Sequence, residues 1–114
     1  MQSKLFRIKL KAGSYKKLCK QVDYMKDKID QVKFEMDQKG YYWDSVFFEI
    51  INDQEYMVVV AKSKDFSSII RDDNAIETTP SRDVYNQFKD SCWMSAPDVQ
   101  EALFCFNKDM TFSK

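Results

Sequence analysis

The sequence predicts an α+β domain: a four-stranded, mainly antiparallel sheet with its helices on one face. Three observations predict it. Runs of alternating apolar side chains recur at residues 5–10, 42–51, 56–61 and 99–107. A long run with apolar residues every three or four positions fills 15–39, and a shorter helical run follows Thr79-Pro80. At 114 residues and 13.6 kDa the chain has the usual size of a single domain. Residues 1–107 are expected to form it, with 108–114 as a flexible tail. Hydrophobic residues make up 44% and aromatic residues 15%, enough for a core without disulfide or metal staples. Only two Gly and two Pro occur, which favours long regular elements.

Residues 5–10 place Phe6, Ile8 and Leu10 on one side and Leu5, Arg7 and Lys9 on the other, as in a half-buried strand. Gly13 breaks the strand, and Ser14 is placed to cap a helix. Tyr15, Leu18, Cys19, Val22, Met25, Ile29, Val32 and Met36 then recur at spacings of three and four. They predict one amphipathic helix ending near Gly40, about 38 Å long at about 1.5 Å per residue. A strand of ordinary length does not cover such a helix, so one end should project or meet a neighbour.

Asn52-Asp53 joins 42–51 to 56–61 in a predicted β-hairpin, since both residue types tolerate the positive φ of a tight turn. Phe66, Ile69 and Ile70 predict a short helix over 65–72, capped by Ser63 or Asp65. After a loop at 73–79, Thr79 as N-cap and Pro80 at the first helical position open a helix to about Trp93. Val84, Tyr85, Phe88 and Cys92 supply its apolar face. Ala96-Pro97 ends it, and 99–107 closes the domain as a strand with Phe104 and Phe106 alternating against Leu103 and Cys105. The order is β-α-β-β-α-α-β. With the two short helices counted as one crossover, this is the split βαβ, or ferredoxin-like, arrangement.

The hairpin carries the most informative pattern. Val46, Phe48 and Ile50 share one face, with Phe47 and Ile51 on the other; Met57, Val59 and Ala61 oppose Tyr56, Val58 and Val60. A sheet face without helices should be polar. Here Phe47, Ile51, Val58 and Val60 are apolar candidates for a contact on that face. Leaving four or five such groups in water costs several kcal/mol at about 25 cal/mol per Å². Two covers fit. One is a second copy of the chain, giving a dimeric α+β barrel. The other is a ligand, or the chain's own tail with Met110 and Phe112. The homodimer is preferred. Tyr24 and Phe34, off the main helical stripe, suit a partner contact, with ordinary partial exposure the close second reading.

Composition excludes several functions. Lys and Arg total 18, as do Asp and Glu, so no basic excess marks a nucleic-acid binder. The concentration of Lys9, Lys11, Lys16, Lys17 and Lys20 reads as solvated surface, an anion site being the sharper alternative. An RNA-binding sheet needs aromatics beside Gly and basic residues, and EYMVVVAK has one Tyr and no Gly. Cys19, Cys92 and Cys105 form no CxxC pair, and histidine is absent. No metal, cofactor or activated thiolate is therefore expected. Gly13 and Gly40 alone make no phosphate loop, and Asp44 and Asp72-Asp73 lack calcium-loop spacing. No apolar run approaches about 18 residues, and MQSKLFRIKL is too short and charged for a signal peptide. A cytoplasmic protein without a membrane partner is expected.

The polar candidates lie on the same second face: Arg7, Lys9 and Glu49, with Glu55 or Tyr56. Arg7 and Glu49 can share a shallow cavity that orients a small polar substrate or anion. Glu49 would serve as base if burial raised its pKa. An ion pair at a dimer interface or sheet edge is the plainer reading. Tyr41, Tyr42 and Trp43 can stack a flat ligand or simply close the helix–strand corner. Trp93, near Met94, reads as core.

RIKLKAGS (7–14), DSVFFE (44–49) and EYMVVVAKSKDF (55–66) resemble a family of small uncharacterised bacterial proteins, and TPSRDVYNQF (79–88) fits the same layout. The resemblance implies a ferredoxin-like, dimeric α+β barrel and no known activity. Ala12 departs from it, standing where such proteins often have Pro before Gly13. The function expected is a homodimeric interaction or regulatory domain. The alternative is a cofactor-free small-molecule enzyme or ligand binder of barrel type, of the monooxygenase or isomerase kind.

Overall fold

The alternating runs fold into one sheet. The structure is a computed structural model and describes residues 1–70, 73–106 and 108–109; the side chains of Trp43, Asp44 and Asp73 lie outside the description. The strands are β1 (Gln2–Leu10), β2 (Tyr42–Ile51), β3 (Gln54–Ser63) and β4 (Asp98–Glu101), and the helices are α1 (Tyr15–Asp27), α2 (Ile29–Lys39) and α3 (Pro80–Cys92). Strand order is β2-β3-β1-β4, and each neighbouring pair is antiparallel. With α1 and α2 crossing from β1 to β2, and α3 from β3 to β4, this is the predicted ferredoxin-like topology.

Register sorts the side chains. Ile8 pairs with Met57 and Phe6 with Val59, while Met57 pairs with Phe48 and Val59 with Val46. These residues face the helices. Ile8, Leu10, Met57 and Val59 meet Leu18 of α1 and Phe88 and Cys92 of α3 in the core. The hairpin turn is as predicted, with Asn52 at φ 50° and Asp53 at φ 63°. Positive φ at both central residues gives the turn a twist that matches the strands.

Four expectations are corrected. The single helix over 15–39 is two helices broken at Lys28, whose φ of −111° and ψ of 35° are not helical. Neither Pro nor Gly stands there, but Asp27, Ile29 and Asp30 around it are weaker helix formers than Ala, Leu or Lys. The inward residues Leu18, Val32 and Lys39 sit on a heptad spacing, which drifts about 20° per heptad around a straight helix. After the break α2 leaves Ile29 exposed and buries Glu35 and Lys39. The helix over 65–72 is a single 3₁₀ turn, Phe66–Ser68, capped as expected by Asp65, whose carboxylate accepts from the Ser67 amide at 2.9 Å. Hydrogen bonds from Ser67 and Ser68 hold that carboxyl below the usual Asp range.

The last strand is shorter than 99–107. The Ala102 amide still donates to the Ser3 carbonyl, but pairing ends at Glu101 opposite Lys4, two residues short of the start of β1. Leu103, Phe104 and Phe106 are exposed beyond it; Asn107 lies outside the described residues.

The start of α1 is the fourth correction. Ser14 makes no side-chain cap; its hydroxyl donates to the Lys11 carbonyl. Glu55 of β3 caps the helix instead, its carboxylate accepting from the amides of Gly13 at 2.6 Å and Ser14 at 3.1 Å. Glu55 pairs with Leu10 and so lies on the helix face, not on the second face with Arg7. A carboxylate at a helix N-terminus satisfies orphan amides and favours the helix dipole. Glu55→Ala is expected to lower stability by about 1–2 kcal/mol and to speed amide exchange at the start of α1. Urea denaturation and hydrogen exchange check it, and unchanged exchange there would remove the capping role.

Candidate functional site

On the sheet face away from the helices, three rows cross β1, β3 and β2. They read Lys9–Tyr56–Glu49, Arg7–Val58–Phe47 and Leu5–Val60–Ser45. Arg7, Lys9, Glu49 and Tyr56 are thus brought onto one patch, as the sequence predicted. Arg7 Nε donates to Glu49 Oε1 at 2.9 Å, diagonally across β3. About a third of each of these two side chains is exposed. The pair is open to solvent rather than enclosed, and at such exposure it stabilises by at most about 1 kcal/mol.

Of the apolar candidates on this face, Val58 is buried, Val60 is half-buried, and Phe47 and Ile51 remain 54% and 45% exposed on the single chain. Trp43 pairs through its backbone with Ala61, next to a bulge, and its side chain lies outside the described residues. Met110 and Phe112 lie outside them too. Lys9, Lys11, Lys16, Lys17 and Lys20 are all exposed, in keeping with a solvated surface.

A larger feature lies on the other side of the sheet. Where α3 leaves the β1–β4 edge uncovered, a groove of about 890 Å³ opens. Its floor includes Phe6, Ile8 and Val59, and Tyr85 and Trp93 form part of its wall. Lys4, Lys39, Arg82 and Lys89 also line it, against Glu101 as the one carboxylate among the described lining residues. Several cations rest on aromatic faces. Lys89 Nζ lies 5.4 Å from the Tyr85 ring centre and 5.3 Å from that of Trp93, and Lys4 Nζ lies 4.8 Å from Phe66. Burial, with a smaller push from Tyr41, raises the Tyr85 phenol well above its ordinary pKa; Arg82 opposes the shift. Trp93 is therefore half core and half groove wall.

Beside the groove sits a buried carboxylate. Glu35 of α2 is 2% exposed. It accepts from Thr79 Oγ1, from Ser81 Oγ at 3.3 Å and from Arg82 Nε at 2.9 Å, all at the start of α3. Sequence reasoning missed this cluster and the groove. The signal for Glu35 was present, because it falls three residues after Val32 and four before Lys39, on the inward side of α2. A groove has no such signal, being defined by what fails to cover it.

Among the described residues, no three His, Cys, Asp or Glu side chains cluster as a metal site, and no helix is long and apolar enough to cross a membrane. A family model described as "Family of unknown function (DUF6176)" matches residues 1–108. No curated protein and no solved structure matches the chain.

Proposed function

The chain belongs to this family of unknown function, and from its geometry we propose a homodimeric interaction domain that packs its far sheet face against a second copy. One observation carries the reading: Phe47 and Ile51 stand half exposed beside the Arg7–Glu49 pair, on the sheet face away from the helices. Strands of nine, ten, ten and four residues, at about 3.3 Å per residue and about 4.8 Å spacing, give a face of roughly 500 Å². That is the order of the ~800 Å² each partner buries in a standard interface. The patch also carries both charge signs, so a two-fold operation can set Arg7 of each copy near Glu49 of the other. Further apolar surface at Leu103, Phe104 and Phe106 supports an interaction role.

Arg7 and Glu49 bind one another, which favours this contact over a catalytic base at Glu49. Size-exclusion chromatography with light scattering tests the proposal. The expected mass is twice 13.6 kDa, falling to one copy in Phe47→Asp with unchanged circular dichroism. A monomeric wild-type chain at about 100 μM, some hundredfold above a micromolar Kd, would overturn it.

A further inference from the structure

We propose that the outer edge of β2 takes an extended peptide strand from a partner protein, which joins the sheet along residues 46–50. Strand order leaves β2 at one edge of the sheet and β4 at the other. β4 has only four residues, a length that offers a partner little. β2 has ten, and beyond its bulge between Trp43 and Ser45 the run 45–51 holds neither Pro nor Lys and a single charge, Glu49. Those residues, bulges and short length are the usual means by which an edge repels other strands. The hairpin fixes which groups are on offer. A two-residue turn with positive φ at both positions makes Ile51 and Gln54 a hydrogen-bonded pair. Alternation then gives the bonds to β3 to Phe47, Glu49 and Ile51, and turns the N–H and C=O of Val46, Phe48 and Ile50 outward. No strand among the described residues meets them.

Side chains along the edge favour an apolar strand. Ile50 is 62% exposed although it lies on the helix face, opposite Glu55. Tyr15 of α1, whose ring lies edge-on 4.8 Å from that of Phe48, is 53% exposed on the same side. A contact confined to the far face covers neither of them, so the edge goes beyond the proposed dimer. Phe47 and Ile51 flank it on the other face, and an added strand of β-branched residues lies against both sets at once. A second copy fits less well. If 45–51 pairs with itself about Phe48, Glu49 of each copy stands opposite Phe47 of the other, with the two carboxylates on a diagonal of about 7–8 Å.

The probe is a blocked peptide of about nine residues in which Val alternates with Thr between lysine ends; its control carries Pro for each Thr and lacks those N–H donors. Both are titrated into the full, isotope-labelled chain and followed by NMR. The expected result is saturable binding that slows amide exchange at Val46, Phe48 and Ile50 and leaves Phe47 and Glu49, already bonded to β3, little changed. The control should bind at least about tenfold more weakly. Ile50→Pro removes one outward N–H without touching a bond to β3, so it should keep the circular dichroism of the parent and weaken the peptide at least about fivefold. Ile50→Lys, which leaves the backbone intact, should weaken it likewise. Equal binding of the two peptides, no saturation, shifts centred away from β2, or unchanged binding in both variants would each overturn the proposal. So would slow exchange at those three amides before peptide is added, which would give the edge to a second copy or to the chain's own tail. Peptide binding by a wild-type chain of one-copy mass would remove the dimer and leave the edge standing.

Discussion

Glu35→Ala is expected to destabilise the chain by about 3–5 kcal/mol, the usual consequence of removing one partner from a buried ion pair. A domain of this size has about 5–15 kcal/mol in total, so the variant should stand near its unfolding threshold. Glu35 is almost wholly buried, and only 14% of the Arg82 side chain is exposed. The carboxylate gathers Thr79 Oγ1, Ser81 Oγ and Arg82 Nε, three donors from the first turn of α3 and the residue before it. Thr79 stands at the N-cap but makes no cap of its own, because its hydroxyl is turned to Glu35. Glu35 anchors the start of α3 through side chains, and Gln31 Oε1 accepts from the Ser81 amide there, whereas Glu55 takes backbone amides at the start of α1.

Glu35→Gln keeps the shape and one acceptor oxygen, so its cost should be smaller, about 1–3 kcal/mol for the weakened charged hydrogen bonds. Replacing both partners, Glu35→Leu with Arg82→Met, should restore most of what the single change loses, since no buried charge is then left behind. Urea denaturation of wild type, Glu35→Leu, Arg82→Met and the double variant completes the cycle. A loss below about 1 kcal/mol for Glu35→Ala would show that solvent reaches the pair and that its burial contributes little.

The elements read correctly from the sequence are those whose cause is local. Asn52-Asp53 fixes the hairpin because its residues accept positive φ, and strict alternation then assigns Val46 and Phe48 to one face and Phe47 to the other. Thr79-Pro80 marks the start of α3 for a similar reason. Misreadings arose where a distant partner decides. The break at Lys28 has no Pro or Gly to announce it. The final strand stops at Glu101, opposite Lys4 near the start of β1, although Phe104 and Phe106 continue its alternation. Ser14 has the chemistry of a cap, yet Glu55, 41 residues away, takes the role. The polar patch of Arg7, Lys9, Glu49 and Tyr56 was legible because period-two alternation and one register place it. The groove was not, since its cations come from β1, α2 and α3 and meet only in the folded chain.

Ile8→Ala and Phe47→Ala separate the two faces of the sheet. Ile8 is 1% exposed and packed against Met57, so its truncation should cost about 2–5 kcal/mol at every protein concentration. Phe47, half exposed, should cost less than about 1 kcal/mol within one copy. Dimerisation adds a different signature, because a partner that binds only the folded chain raises its unfolding midpoint as concentration rises. The wild-type midpoint should therefore climb over a hundredfold concentration range, by up to ~2.7 kcal/mol of added stability. Ile8→Ala should shift the whole curve down and keep its slope, whereas Phe47→Ala should flatten it. Thermal unfolding at several concentrations reads both effects. A flat wild-type curve would remove the dimer while leaving the Ile8 result intact; a small Ile8 effect would instead contradict the register that assigns each residue to its face.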